Sequence, residues 1–284
     1  MPADPAMDLV KQARKLNGEG KQDEALQLYR QAQEKSPKLV EAWLGAGTVL
    51  DLMGRYDEAR KELQKAIDLA KPEQKPQAMK TMAISYAFTR DAKQAAKFET
   101  PVYDEQLAAK KYYDAGETAD ELARICLESG DLDCAQEWYK KGHDAGVMKP
   151  DLTDKERDLW EFRYEHAQAR LAARRGDKPE AERHIAAAKA ILDRGVIDPQ
   201  QAQFFPYLKG YVEFYTGDTK AAIADLQQAN QRDPFILVLL AQAYEKSGDK
   251  AQAETYYRKV LQSNIHNPTN AFARPLAREK TGKS

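Results

Sequence analysis

Apolar and polar positions alternate along this chain with the period of a helix, in stretches broken by short Gly-Asp turns. In EAWLGAGTVLDLMG (41 to 54), Trp43, Ala46, Gly47 and Leu50 fall on one face, the spacing of an amphipathic helix. The turn that follows opens a second helix, MGRYDEARKELQKAIDLAKP (53 to 72), which repeats EGKQDEALQLYRQAQEKSP (19 to 37) with Ala25 and Ala59 at equivalent places. The pattern returns at SGDLDCAQEWYKKG (Ala135), RGDKPEAERHIAAAK (Ala181), TGDTKAAIADLQQAN (Ala222) and SGDKAQAETYYRKVL (Ala253). Glycine permits the reversal, aspartate caps the next helix, and the small alanine lets two helices approach closely. The predicted unit is helix, turn, helix.

With Trp43, Gly47, Ala59, Leu63 and Ala66 at its signature spacings, the second copy resembles the tetratricopeptide repeat (TPR) family. The resemblance covers nearly the whole chain. It implies an all-α solenoid of about seven helix-turn-helix units forming a right-handed superhelix, with units at about 6–39, 40–73, 76–115, 116–146, 154–194, 199–233 and 234–264. Pro37, Pro72 and Pro234 sit where such units end their second helix. Between Ala222 and Ala253 the period shortens, which predicts a first helix about one turn short after Pro234. From Lys93 to Ala115 the pattern reads as one overlong helix kinked at Pro101 or as two short helices. GVMKPDLTDKERDLWEF adds a loop, with Thr153 or Asp154 capping a lengthened helix that contains Trp160. Residues 268–280 are expected to cap the last unit's uncovered face, with a loose tail at 281–284. The NPTNAFARPLAR segment also looks like that of uncharacterised bacterial TPR proteins, a few of which carry export signals.

Composition supports the helical reading: charged residues are 31% and β-branched residues are too scattered for strands. Forty-four basic residues against 45 acidic ones leave a charge of −1, so nothing draws in nucleic acid or anionic lipid. No apolar run approaches membrane-spanning length, and MPADPAMDLVKQ lacks the basic start and apolar core of a signal. A cytoplasmic location follows as the expectation, or an exported, periplasmic one if a signal was trimmed. Cys126 and Cys134 could face each other across a helical hairpin, although two buried thiols are the commoner outcome.

Catalytic chemistry finds no footing. His143, His166, His184 and His266 are dispersed, with nothing like the helical HExxH metal motif, and no GxSxG elbow occurs. GEGK (18 to 21) and TGKS (281 to 284) mimic phosphate loops but lack the strand, the helix and the first glycine that such loops need. No metal or cofactor is expected, and the chain reads as a non-enzyme.

The resemblance implies partner binding on the concave wall lined by the first helix of each unit. In the fifth unit Arg163, His166, Arg170 and Arg174 recur at i, i+3, i+7 and i+11. In FFPYLKGYVEFY (204 to 215), six aromatic residues in twelve, Phe204, Tyr207, Tyr211 and Phe214 hold corresponding places, with Tyr215 beside them. A basic ladder beside an aromatic ladder suits a protein or peptide that is acidic or carboxylate-ended and carries an apolar side chain. Two plainer readings stand beside it: the arginines pair with Glu117, Asp120 and Glu128, and the rings are core. Phe205, Leu208 and Val212 are assigned to the core around Gly210. The family's Lys/Asn clamp for carboxylate tails is not supplied, since the inward candidates of the first two units are Arg14, Asn17, Glu41, Thr48 and Asp51. The leading expectation is a scaffold binding a segment in the groove of units five to seven. Its rival is a self-assembling protein that uses the aromatic stretch or the Trp160 region as a homo-oligomer contact.

Overall fold

The computed structural model describes residues 5–282, so the first four residues and part of the expected tail lie outside the described residues. Helices α1 (Pro5–Gly18), α2 (Gln22–Lys35), α3 (Val40–Leu52), α4 (Tyr56–Leu69) and α5 (Lys75–Phe88) come first. They are followed by α6 (Ala92–Ala108), α7 (Tyr112–Ser129), α8 (Leu132–Val147), α9 (Asp154–Arg174) and α10 (Lys178–Asp193). A 3-10 turn, Pro199–Phe204, leads into α11 (Phe205–Thr216), α12 (Thr219–Gln228), α13 (Pro234–Ser247), α14 (Lys250–Val260) and α15 (Pro268–Lys280). No strand occurs among the described residues. The fold is all-α, a succession of helix pairs with one additional helix at the end.

These helices form two compact units, one of residues up to Val102 together with Leu261 onward, the other running from Tyr103 to Val260. In the first unit, Val10, Ala13, Ala25, Ala46, Val49, Leu50 and Ala59 make a fully buried core. Helix α5 is buried on nearly every side, including Ala78, Met82, Ala83, Ile84, Ser85 and Phe88. A helix apolar all round needs cover all round, and α15 supplies one side of it by packing on α5. The C-terminal helix, expected as a cap over the seventh unit, makes this contact within the N-terminal unit. It belongs to the N-terminal unit, because its own apolar face (Ala271, Phe272, Ala273, Ala277) and the remaining face of α5 cover each other.

The turns follow the sequence pattern with two substitutions. Asp131, Asp177 and Asp218 each accept a bond from a backbone N–H in the first turn of the following helix, and Gly130 and Gly217 take left-handed conformations before them, with φ of 90° and 98°. In the third pair Arg90 holds that conformation (φ 55°) without being glycine. In the first two pairs Lys21 and Arg55 occupy the cap position and make no side-chain cap bond. Thr153, not Asp154, caps α9, in a reciprocal capping box with Glu156.

Two length expectations and the reading of the cysteines are corrected. Helix α6 runs unbroken through Pro101 to Ala108, so the fourth pair begins at Tyr112, earlier than residue 116. The missing turn of the last repeats lies in α12, which has 10 residues, whereas α13 starts at Pro234 and has 14. Pro at the first helical position loses no bond, so it initiates α13 instead of preceding it. Cys126 and Cys134 are bonded, with S–S 2.00 Å and Cα–Cα 5.7 Å, because the tight α7–α8 turn brings the two helix ends together.

Trp160, among the largest fully buried side chains, lies against α7 and α8 where Gly116 and Gly146 leave room for its indole. A Cβ on either glycine would fall inside the ring. That burial removes Trp160 as a contact between copies. The Gly146→Ala variant is expected to lose about 1–3 kcal/mol through overpacking, read as a lower urea midpoint with unchanged m. Gly176, beside which a Cβ would meet nothing, locates the loss in the indole contact if its alanine variant loses only what its positive φ costs.

Candidate functional site

The nine residues singled out from the sequence lie in the second unit, four on α9, Phe204 at the end of the 3-10 turn and four on α11, with α7 facing the α9 stripe. Glu117, Asp120, Arg124 and Glu128 run down α7 at i, i+3, i+7 and i+11, the same spacing as Arg163, His166, Arg170 and Arg174 on α9. The two stripes pair at their outer rungs, Arg163 and Arg174. Arg163 donates to Glu117 and, at 3.1 Å, to Asp120. Arg174 Nη1 donates to Glu128 Oε2 at 3.2 Å. Arg170 is held by its own helix, Nε to the His166 carbonyl at 3.3 Å, with its guanidinium 5.4 Å from the Tyr139 ring.

The aromatic stripe of α11 closes the other side. Tyr211 donates its hydroxyl to Glu128 Oε1 at 3.2 Å and accepts from Arg174 at 3.4 Å. Tyr207 accepts from Arg124 at 2.7 Å and stacks on His166 at 5.7 Å between centroids. Tyr215 lies under the Arg174 guanidinium at 4.8 Å, and Lys246 sits 3.8 Å over Phe214.

This geometry joins the two ladders, and it corrects the expectation that they form an exposed wall. Tyr211 is fully buried, and Tyr207, Phe214, His166 and Arg170 are each less than a tenth exposed. The physical reason is charge complementarity: Arg163 and Arg174, which would read a partner's carboxylate, already have the chain's own Glu117, Asp120 and Glu128. Arg163, Arg174 and Tyr215 are half-buried, and Phe204 alone of the nine is exposed, at 42%. The inner assignments hold, with Leu208 and Val212 buried and Phe205 packed against the same core. Arg124 lies outside the expected set, although its position four residues before Glu128 and on the stripe of Glu117 and Asp120 marks it.

Titration follows from this enclosure. Burial, reinforced by Arg170, holds His166 well below the usual imidazole range, so it stays neutral. Burial pushes Tyr139 up to about 12. It also pushes Asp120 up to about 6, against the pull of Arg163 and Arg170. Among the described residues no group of three His, Cys, Asp or Glu could hold a metal ion, and no helix is long and apolar enough to cross a membrane. His184 is buried between Glu165 and Glu180.

The unit's surface carries a different feature. Between α10 and α11 a cleft of about 440 Å³ is lined by Leu192, Ile197, Pro199, Ala202, Phe205 and Pro206. A second, of about 360 Å³, continues past Phe205 to Ile185, Ala186 and Val212, with Lys178, Lys209 and Glu213 at its edge. Glu213, the polar residue in the aromatic stretch, has its carboxyl raised to about 7, first by burial and then by Asp225.

In the N-terminal unit two of the five inward candidates hold the chain's own C-terminal segment. Asn17 donates to the Asn264 carbonyl at 3.2 Å, and Asp51 bonds His266 at 2.8 Å. Glu41 accepts from Gln74, Thr48 bonds back to Gly45, and Arg14 lies by Tyr29.

Removing one partner of a buried ion pair leaves the others uncompensated, at a cost of about 3–5 kcal/mol. Glu128→Ala is expected to lose that much in chemical denaturation, since Arg124, Arg174 and Tyr211 all depend on one carboxylate that is 2% exposed. For Asp120 the folded pKa lies above the unfolded value of about 4, so its stabilising contribution is complete below that value and is lost as pH rises through 6. Between pH 4 and pH 7 the wild type should therefore lose Tm relative to Asp120→Asn, measured by thermal melts of both across the range.

Three tetratricopeptide repeat models match the chain, over residues 16–83, 163–194 and 207–268, together more than half of it. No curated protein matches it by sequence. In fold it is similar to a crystallised tetratricopeptide repeat protein from Parabacteroides merdae ATCC 43184, at 13% identity over 98% of each chain with a TM-score of 0.53. It is also similar to a Podosopora anserina putative kinesin light chain with nearly identical TPR-like repeats. There the identity is 18% and the TM-score 0.54, over 68% of this chain and 98% of that one. The repeated helix pairs, their alanine contacts and these matches together make the chain a member of the tetratricopeptide repeat family.

Proposed function

We propose that the protein is a non-catalytic scaffold that binds a protein segment at its fifth and sixth helix pairs, through the cleft between α10 and α11. The TPR fold generally mediates protein–protein interaction. The observation that carries the location is the exposed Phe204 and Val196 at 42% and 40%, near a cleft walled by apolar side chains. Large apolar side chains left in water beside a concave apolar surface mark a docking place. Lys189, Asp193 and Asp198 rim it with both signs of charge, so the chemistry favours an apolar anchor within a mixed polar segment. The buried ladders of α7, α9 and α11 hold this wall in shape.

Ala202→Arg, which fills the cleft, together with Phe204→Glu, is expected to cut partner binding at least tenfold in affinity capture quantified against wild type, with an unchanged melting curve. Equal recovery of every partner by both proteins would remove the cleft from the reading. Arg170→Glu and Tyr211→Ala are not tests of binding, because both side chains are buried. Light scattering at tens of micromolar decides the self-assembling alternative: a wild-type dimer that the double variant abolishes would make the partner a second copy of this chain.

A further inference from the structure

The C-terminal segment is held in the N-terminal unit the way a ligand is held. From Asn264 to His266 it has no regular secondary structure, and from Pro268 it is the helix α15. Asn17 reads the Asn264 backbone carbonyl, while Gln22 Nε2 donates to the Asn264 side chain at 2.7 Å. Asp51, itself fixed by Ser85 at 2.9 Å, takes His266, whose ring stacks on Phe88 at 5.4 Å. Arg274 Nε donates to the Leu52 carbonyl at 2.7 Å, and Arg278 reaches the same oxygen at 3.4 Å.

Apart from Gln22, which opens α2, the receiving groups sit at or near the C-terminal ends of α1, α3 and α5, where the last carbonyls lack intrahelical partners and the helix dipole is negative. Two arginines one turn apart suit that end of α3. Phe272, 1% exposed, supplies the apolar anchor. The contacts thus form an address made of Asn and His in a non-helical lead, then a helix carrying Phe and, two and six positions on, Arg.

We propose that this face of the N-terminal unit is a second recognition site, distinct from the α10–α11 cleft. Its built-in occupant is residues 264–278, and its external ligand is a partner segment with the same Asn/His/Phe/Arg chemistry, a non-helical lead followed by a helix. The tethered segment competes at high effective concentration, so the partner gains the site only when α15 withdraws. Asp51 and Ser85, a buried carboxylate and hydroxyl on neighbouring helices, are bonded to each other, and the second carboxylate oxygen of Asp51 is left for His266.

The probe is a fluorescein-labelled peptide of residues 261–282, titrated by anisotropy into the full chain. Wild type is expected to bind it weakly, and the Phe272→Ala, Arg274→Ala chain at least tenfold more tightly. Adding Asp51→Ala and Asn17→Ala on the receiving face should abolish that gain. A weakened chain that keeps its helicity yet binds no better than wild type overturns the proposal. So does one that loses the helicity of the N-terminal unit, since α15 is then a structural member. Hydrogen exchange on the unmodified protein tests the displacement independently: α15 amides should exchange at least tenfold faster than those of α5, and equal protection overturns it.

Discussion

Six of the helix pairs share one close approach, made at a buried alanine on the second helix. Ala25, Ala59, Ala135, Ala181 and Ala222 are fully buried, and Ala253 nearly so. A larger side chain there would force the pair apart, and the neighbouring pair would lose its seat. The opposite demand, for a large ring, is met by removing side chains from its partners: Gly45 admits Tyr29, and Gly116 and Gly146 admit Trp160. Packing to crystal-like density leaves little room for any other solution.

That repeated approach brings the first helices of successive pairs side by side, and in the second unit their facing stripes are chemically matched. An acidic stripe on α7, a basic one on α9 and an aromatic one on α11 share a single helical register. Such a polar interior is costly unless every group is served. Glu128 is served threefold, accepting from Arg124, Arg174 and Tyr211 at once, whereas Arg170 Nη1 is buried without a hydrogen-bond partner. The arrangement fixes register between pairs, which a purely apolar face between repeats of similar shape specifies less sharply. It also leaves partner contact to side chains outside the stripes, Phe204 and the apolar cleft next to it.

Much of this is legible along the chain. The period of the Asp-Glu-Ala and Gly-Asp copies marks the pairs, and Thr153 with Glu156 three residues on marks the start of α9. The stripes are visible as spacings, and Glu117, Asp120 and Glu128 are visible as alternative partners for the arginines. Whether the arginines meet those carboxylates or a visitor's is not visible, because both outcomes use the same side chains. The short helix is expected at α13 and lies at α12, since a proline can follow a helix or start one and local sequence does not distinguish the two. The disulfide requires a Cα separation that only the geometry of the α7–α8 hairpin supplies.

The sequence by itself determined the helices, their pairing and the family, because these rest on local propensity and on contacts repeated at a fixed period. Only the tertiary structure decided where α15 goes and which rings face water. Those outcomes turn on contacts between residues more than two hundred positions apart, such as Arg274 with Leu52 and His266 with Asp51, or on which of two eligible partners fills a face. A period along the chain carries no information about either, since it records what each repeat shares and not what covers the face left over.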